Sequence, residues 1–77
     1  MRGVLHDRIV ARLVAERRSR RLTQAQLAQR LGRSTSFVFR YEAGARYIDI
    51  AEFIVIARAL DLDPYELLRE AEAEGVA

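Results

Sequence analysis

The sequence predicts one small all-α domain of five helices. Apolar residues recur three and four positions apart through most of the chain, and no stretch shows the alternation of a strand. Three helix-start signals stand at residues 23–26, 49–52 and 63–66. Seventy-seven residues allow a single modest core, and only four glycines and one proline interrupt the pattern.

The first predicted helix spans about residues 7–18, and its apolar stripe consists of Leu5, Ile9, Val10, Leu13 and Val14. The second begins at Thr23, because Thr23 and Gln26 form a capping box, and it ends at Gly32, which tolerates positive φ. Its predicted inward face consists of Leu27, Ala28 and Leu31.

The third predicted helix has Ser34 as its N-cap and ends at Gly44. Only Gly32 and Arg33 separate it from the second helix. Two short helices joined so tightly by a glycine turn must cross steeply, which predicts a helix-turn-helix.

The last two helices are predicted at residues 49–60 and 64–74. Asp49 and Glu52 form a capping box, and Pro64 follows Asp63 at the first helical position. The predicted inward residues are Ile50, Phe53, Ile54, Ala57 and Leu60 in the fourth helix and Leu67 and Leu68 in the fifth.

The net charge of +2 hides a division between the two halves of the chain. Residues 1–46 hold eleven arginines and three acids, for a net +8, whereas residues 47–77 hold two arginines and eight acids, for a net −6. Such a division predicts a surface for a polyanion in the first half and a different task for the second.

The segments 22–34 (Leu-Thr-Gln-Ala-Gln-Leu-Ala-Gln-Arg-Leu-Gly-Arg-Ser) and 41–44 (Tyr-Glu-Ala-Gly) resemble the phage-repressor/Cro-like (XRE-type) helix-turn-helix family. The resemblance extends over about residues 5–70. It implies a lambda-repressor-like DNA-binding domain over residues 1–77, with the helix-turn-helix at 23–44. Helices four and five, at about residues 49–74, are assigned to dimerisation on the apolar residues described below.

The exposed face of the third helix is the expected base-reading surface. Val38 and Tyr41 project to the opposite side and belong to the core, which leaves outside Thr35, Ser36, Phe39 and Arg40. Arg40 can bond guanine O6 and N7, the two hydroxyls can bond base edges, and the Phe39 ring can meet a thymine methyl. The resemblance implies the same positions for base contact.

Each of these assignments has an alternative. Phe39 stands where the family usually has a small or polar residue, so it can instead pack across an arginine stem or a neighbour on the second helix. Arg40 can be solvated or bound to phosphate. Thr35 and Ser36 can reflect the preference of short hydroxyl residues for a first helical turn.

Phosphate contacts are expected around the two ends of the third helix and at the start of the second. The candidates are Gln24, Arg33, Ser34, Ala43 (through its backbone), Arg46, Arg20 and Arg21. The resemblance implies the role of Gln24. Capping alone explains Ser34, and a solvated helix end alone explains Arg20 and Arg21.

Two further sets are predicted to hold the protein together. The resemblance places Arg17 against Glu42 as a structural ion pair. The apolar residues without an obvious core assignment are the predicted homodimer interface, and they are Tyr47, Ile48, Val55, Ile56 and Tyr65. The alternative is that these five complete the core.

Several kinds of protein are excluded on the sequence. The chain has no cysteine, its one histidine (His6) lacks partners at metal-ligand spacing, and no catalytic arrangement is found, so we expect no metal, no cofactor and no enzyme. No apolar run approaches the ~20 residues that span a bilayer. The prediction is a cytoplasmic, dimeric, sequence-specific regulator that binds double-stranded DNA, most simply a repressor; the alternative is a protein-interaction module with the same fold.

Overall fold

The computed structural model describes residues 3–74, which form five α-helices and no strand. The helices are α1 (Val4–Ser19), α2 (Gln24–Leu31), α3 (Thr35–Glu42), α4 (Ile50–Ala59) and α5 (Pro64–Ala73). The predicted all-α class is therefore confirmed. The one notable shift in a boundary is the start of α1, which lies three residues before the expected position.

Side chains cap the starts of four helices, as the sequence predicts. At α2 the Thr23 hydroxyl accepts from the Gln26 amide at 3.0 Å, and the Gln26 side chain accepts from the Thr23 amide at 2.9 Å. Asp49 and Glu52 form the same reciprocal pair at α4. Ser34 caps α3 and Asp63 caps α5, so each start satisfies amide groups that have no partner inside the helix.

The first four helices end in the same kind of turn. A residue with positive φ follows each helix, and these residues are Arg21 (+56°), Gly32 (+66°), Gly44 (+78°) and Asp61 (+57°). In every case the next amide bonds back across five residues, as Leu22 does to the Arg17 carbonyl at 3.1 Å. Glycine suits this backbone, whereas Arg21 and Asp61 adopt it against the usual preference.

The helices pack so that α3 lies on α1 and α2, while α4 lies on α2 and α5, and α5 lies on α1. Their buried apolar side chains form one core. It contains Val10, Leu13, Leu27, Ala28, Phe37, Val38, Tyr41, Ile48, Phe53, Ile56, Ala57, Leu60 and Leu67.

The structure confirms Phe53, Ala57 and Leu60 as inward residues of the fourth helix and corrects two other assignments. Ile56 was assigned to the dimer interface, but it is 1% exposed and belongs to the core, whereas Ile50 was assigned inward and is 76% exposed. Both arrangements satisfy helical spacing; packing against α2 and α5 selects the face that contains Phe53, Ile56 and Leu60. Ile50 lies at the first position of α4, beyond this face.

Two other residues predicted to face inward are partly exposed. Leu5 lies in the first turn of α1, and Leu68 lies beside the inward residue Leu67 on α5. Leu68 lines a shallow apolar groove with Ile9 and Ile50. The buried core therefore excludes the first turn of α1 and the Leu68 side of α5, which the sequence pattern had included.

Ile48 is also buried, which corrects its assignment to the dimer interface. Its amide donates to His6 Nε2 at 3.2 Å, and the Tyr47 ring lies 4.8 Å from the His6 ring. His6 therefore ties the loop between α3 and α4 to the start of α1. Its role here is structural, and no sequence motif indicates it.

Candidate nucleic-acid interface

One side of α3 is open to solvent. Phe37, Val38 and Tyr41 are buried on the other side. The exposed residues are Thr35, Ser36, Phe39 and Arg40, the four that the sequence analysis assigned to base contact. An exposed face of this length on one α-helix has the dimensions that a DNA major groove admits.

Arg40 is the free cation of this face. It is exposed and forms no hydrogen bond or ion pair with any residue of the described range 3–74. Its five N–H donors are therefore available to an external acceptor. Phe39 is 58% exposed, so more than half of the residue is accessible to an external partner.

Arg17 and Glu42 join α1 to the end of α3. Arg17 Nε and Nη2 donate to the two Glu42 carboxylate oxygens at 2.7 and 2.9 Å, and Nη1 donates to the Leu22 carbonyl at 2.7 Å. The hydrogen bond to Glu42 raises the pKa of Arg17, against the opposing effect of burial. This is the structural pair that the resemblance implies, and it holds α3 in position on α1.

Gln24 belongs to the same network. Its Nε2 donates to Glu42 Oε1 at 2.9 Å, so the side chain is already engaged in the free protein. Only the Gln26 amide in the first turn of α2 is capped by Thr23. A phosphate contact at this position would thus depend on the backbone amides at the start of α2.

A second network surrounds Phe37, which the sequence analysis did not single out. The guanidinium carbons of Arg33 and Arg46 lie 4.0 and 4.9 Å from the Phe37 ring centroid. Both arginines also contact Glu52, Arg46 through two bonds of 2.9 Å and Arg33 at 3.4 Å. The spacing of Phe37, Val38 and Tyr41 was the available signal that Phe37 faces inward.

Glu52 is the shared acceptor of that network. Hydrogen bonds from Arg46 and from the Asp49 amide lower the pKa of Glu52 to about 2. Arg33 precedes α3 and Arg46 follows it in sequence, and their guanidinium groups meet at this carboxylate beside the Phe37 ring. Their positions are compatible with phosphate contact, although each guanidinium already has an internal partner.

The four remaining candidates for phosphate contact differ in their partners and in their exposure. Arg20 pairs with Glu16 one turn earlier on α1, and Arg21 is exposed in the left-handed turn. Ser34 uses its hydroxyl to cap α3, and Ala43 is exposed at the end of that helix. Arg21 alone among these four is an unpaired cation within residues 3–74.

Three of the five residues predicted for a dimer interface are exposed: Tyr47, Val55 and Tyr65. Ile48 and Ile56 are in the core, as described above. The solvent-facing side of α4 nevertheless carries several apolar residues, with Ile50, Ala51 and Val55 in the open and Ile54 partly buried, beside the exposed Arg58.

No group of three or more histidine or acidic residues within residues 3–74 is arranged to hold a metal ion. In the same range, no helix has both the length and the apolar character needed to cross a membrane.

The fold and this face define a class, the small helix-turn-helix domain. A family model described as "Helix-turn-helix domain" matches residues 8–71. A solved structure described as an XRE-family like protein from Pseudomonas syringae pv. tomato str. DC3000 is 37% identical, with a TM-score of 0.87 over 92% of this chain and 87% of that one. A search of curated protein sequences gave no match. The chain belongs to the XRE-type helix-turn-helix family, and its fold is that of a DNA-binding regulator.

Proposed function

We propose that the protein is a sequence-specific transcriptional regulator that reads duplex DNA with α3 in the major groove. The observation that carries this proposal is the open face of α3, where Arg40 has no partner within residues 3–74. A bidentate contact from Arg40 to guanine supplies discrimination at one base pair, and Thr35 and Ser36 supply adaptable hydrogen bonds near the start of the helix.

Phosphate contacts orient this face. The start of α2 offers amides at Gln24, and Arg21 offers a free guanidinium. Arg33 and Arg46 act from positions fixed by Glu52, with Arg20, Ser34 and the Ala43 backbone as further contacts. Such contacts set the register of the protein on the duplex and contribute no sequence information.

The active form is a homodimer on a two-fold symmetric site, with half-sites about 34 Å apart. The supporting observation is the apolar outer side of α4, which exposes Ile50 and Val55 and is continuous in sequence with exposed Tyr47. Tyr65, at the start of α5, is a further exposed apolar residue in the second half of the chain. Patches of this kind mark interfaces more often than isolated apolar residues do.

Occupation of such a site would block transcription, so a cytoplasmic repressor is the simplest form of the regulator.

Selection from a pool of random duplexes at about 100 mM salt tests the proposal, because specific binders remain tight in that range. We expect an enriched motif with two-fold symmetry, and affinity that falls linearly in log–log form with salt. Recovery of no enriched motif would refute specific DNA recognition.

A second candidate is a protein-interaction module. It is favoured by one observation, the exposed ring of Phe39 in the middle of the α3 face. In that case a partner protein would bind α3, Phe39→Ala would abolish the complex, and duplex DNA would bind without sequence preference.

A further inference from the structure

The Phe39 ring is isolated on its face. Thr35 and Ser36 lie one turn before it and Arg40 directly after it, and all three are polar and exposed. The other large exposed apolar side chains within residues 3–74 belong to α1, α4, α5 and the loop before α4. The ring therefore stands alone among hydrogen-bonding groups.

This isolation favours DNA over a protein as the surface that covers Phe39. Protein interfaces cover contiguous apolar patches, and α3 offers no second exposed apolar side chain. In the major groove the edge of each base pair is polar, except for the methyl group on C5 of thymine. A single aromatic ring in a polar face matches a single methyl group in a polar groove.

We propose that Phe39 makes the protein a reader of 5-methylpyrimidines, an inference that rests on the proposed function. Cytosine methylated at C5 presents the same methyl group in the groove as thymine. Because Phe39 and Arg40 are adjacent on α3, the proposal places the methyl on a base pair close to the guanine that Arg40 contacts. Binding to a site with cytosine at this position therefore depends on methylation of that cytosine.

The test uses the motif selected from random duplexes. Each thymine of one half-site is replaced in turn by uracil, which lacks only the methyl group, and the Kd is measured by fluorescence anisotropy. At one thymine close to the Arg40-dependent guanine we expect about a fourfold loss, the value for burying one methyl-sized group. When that thymine–adenine pair is replaced by cytosine–guanine, methylation of the cytosine at C5 should tighten binding by a similar factor.

Variants identify the side chain responsible. Phe39→Ala should bind thymine and uracil duplexes equally, and Phe39→Leu should retain part of the preference. Val4→Ala, which truncates an exposed apolar residue of α1, should leave the ratio unchanged. Because Phe39 is exposed, these variants should fold, and thermal melts check this.

The outcomes separate the two proposals. Equal binding of all uracil and thymine duplexes by the wild-type protein, or the same ratio in Phe39→Ala, would overturn methyl reading while the regulator proposal stands. Failure to select any motif would instead overturn the proposed function itself.

Discussion

At the scale of single residues, the structure separates side chains that hold α3 from those that α3 presents. Arg17, Gln24 and Glu42 form one hydrogen-bonded network behind the helix, while Arg40 is free in front of it. A substitution behind the helix would weaken DNA binding by moving α3, without removing a contact to DNA. Stability must therefore be measured beside affinity for every variant.

Glu42→Ala should lower the free energy of unfolding by about 3–5 kcal/mol, because it leaves the buried Arg17 without its partner. Chemical denaturation measures this change. The neighbouring Tyr41→Phe is the control: the Tyr41 hydroxyl is buried without a hydrogen-bond partner in residues 3–74, so its removal should be neutral or stabilising. A Glu42→Ala loss below 1 kcal/mol, typical of exposed pairs, would contradict the structural role.

The exposure or burial of a residue was predictable where the local sequence pattern alone determines it. The open positions of α3 follow from helical spacing alone, and so do the buried Val38 and Tyr41. His6 was not predictable, because its acceptor role depends on an amide forty-two positions away. The contacts of Phe37 were not predictable for a similar reason, because Arg33 precedes α3 in the sequence and Arg46 follows it.

At the scale of elements, helix starts were easier to predict than helix ends. The capping boxes at α2 and α4 and the Asp-Pro start of α5 are written in side chains, and all three form. Two of the four left-handed ends use glycine and were predicted. The other two ends have Arg21 and Asp61 at this position, and both residues adopt positive φ although neither is glycine.

Arg21→Gly should raise the free energy of unfolding by about 1 kcal/mol, because glycine adopts positive φ without steric cost. Gly32→Ala should lower it by about the same amount, since an added Cβ at Gly32 would meet no atom within 4 Å and only the backbone is strained. Thermal melts of both variants give the comparison. Changes of the same sign in both would contradict this explanation of the helix ends.

The lowered pKa of Glu52, in the first turn of α4, predicts that the stability of the protein depends on pH. Its pKa is about 2 in the folded protein and 4.5 ordinarily, so its stabilising contribution is present above about pH 4.5 and is lost as the pH falls toward 2. Glu52→Gln should flatten the stability curve in this window. Glu72→Gln, on an exposed residue of α5, is the control and should retain the wild-type slope.

The rotation of α4 about its axis shows the limit of pattern at this scale. The α4 sequence is apolar on more than one side, so helical spacing permits several inward faces. Contacts with α2 and α5 determine the actual face, which buries Ile56 and exposes Ile50. This ambiguity led to the wrong assignment of Ile56 to the dimer interface, whereas Ile48 was misassigned because it lies in a loop, where helical spacing gives no indication of burial.

At the scale of the whole molecule, charge and apolar surface are divided between two regions. Most arginines lie in α1–α3 and their connections, and most acids lie within residues 49–74, which contain α4, α5 and the residues at their ends. Part of the basic charge is used internally, as Arg12 pairs with Glu70 and Glu74 across α1 and α5. The proposed DNA-facing and dimerising surfaces thus occupy different parts of a molecule 36 Å long.

Val55→Glu and Ile50→Glu should shift the protein toward the monomer, because each places a charge on the apolar outer side of α4. Sedimentation at tens of micromolar measures the change. Arg69→Ala, which changes the net charge by the same −1 on the exposed surface of α5, is the control. A wild-type protein that is monomeric both free and on DNA would contradict the dimer.

The proposed function of the protein depends above all on base reading by the open face of α3 through Arg40. The most direct test compares Arg40→Ala with Arg69→Ala, which removes an equal charge from an exposed pair on α5. Anisotropy on the selected duplex and on single-base variants gives the discrimination at each position. We expect Arg40→Ala to lose about 1–3 kcal/mol of preference at one guanine–cytosine pair, while Arg69→Ala keeps every preference. Unchanged base preference in Arg40→Ala, with the fold intact, would contradict the account.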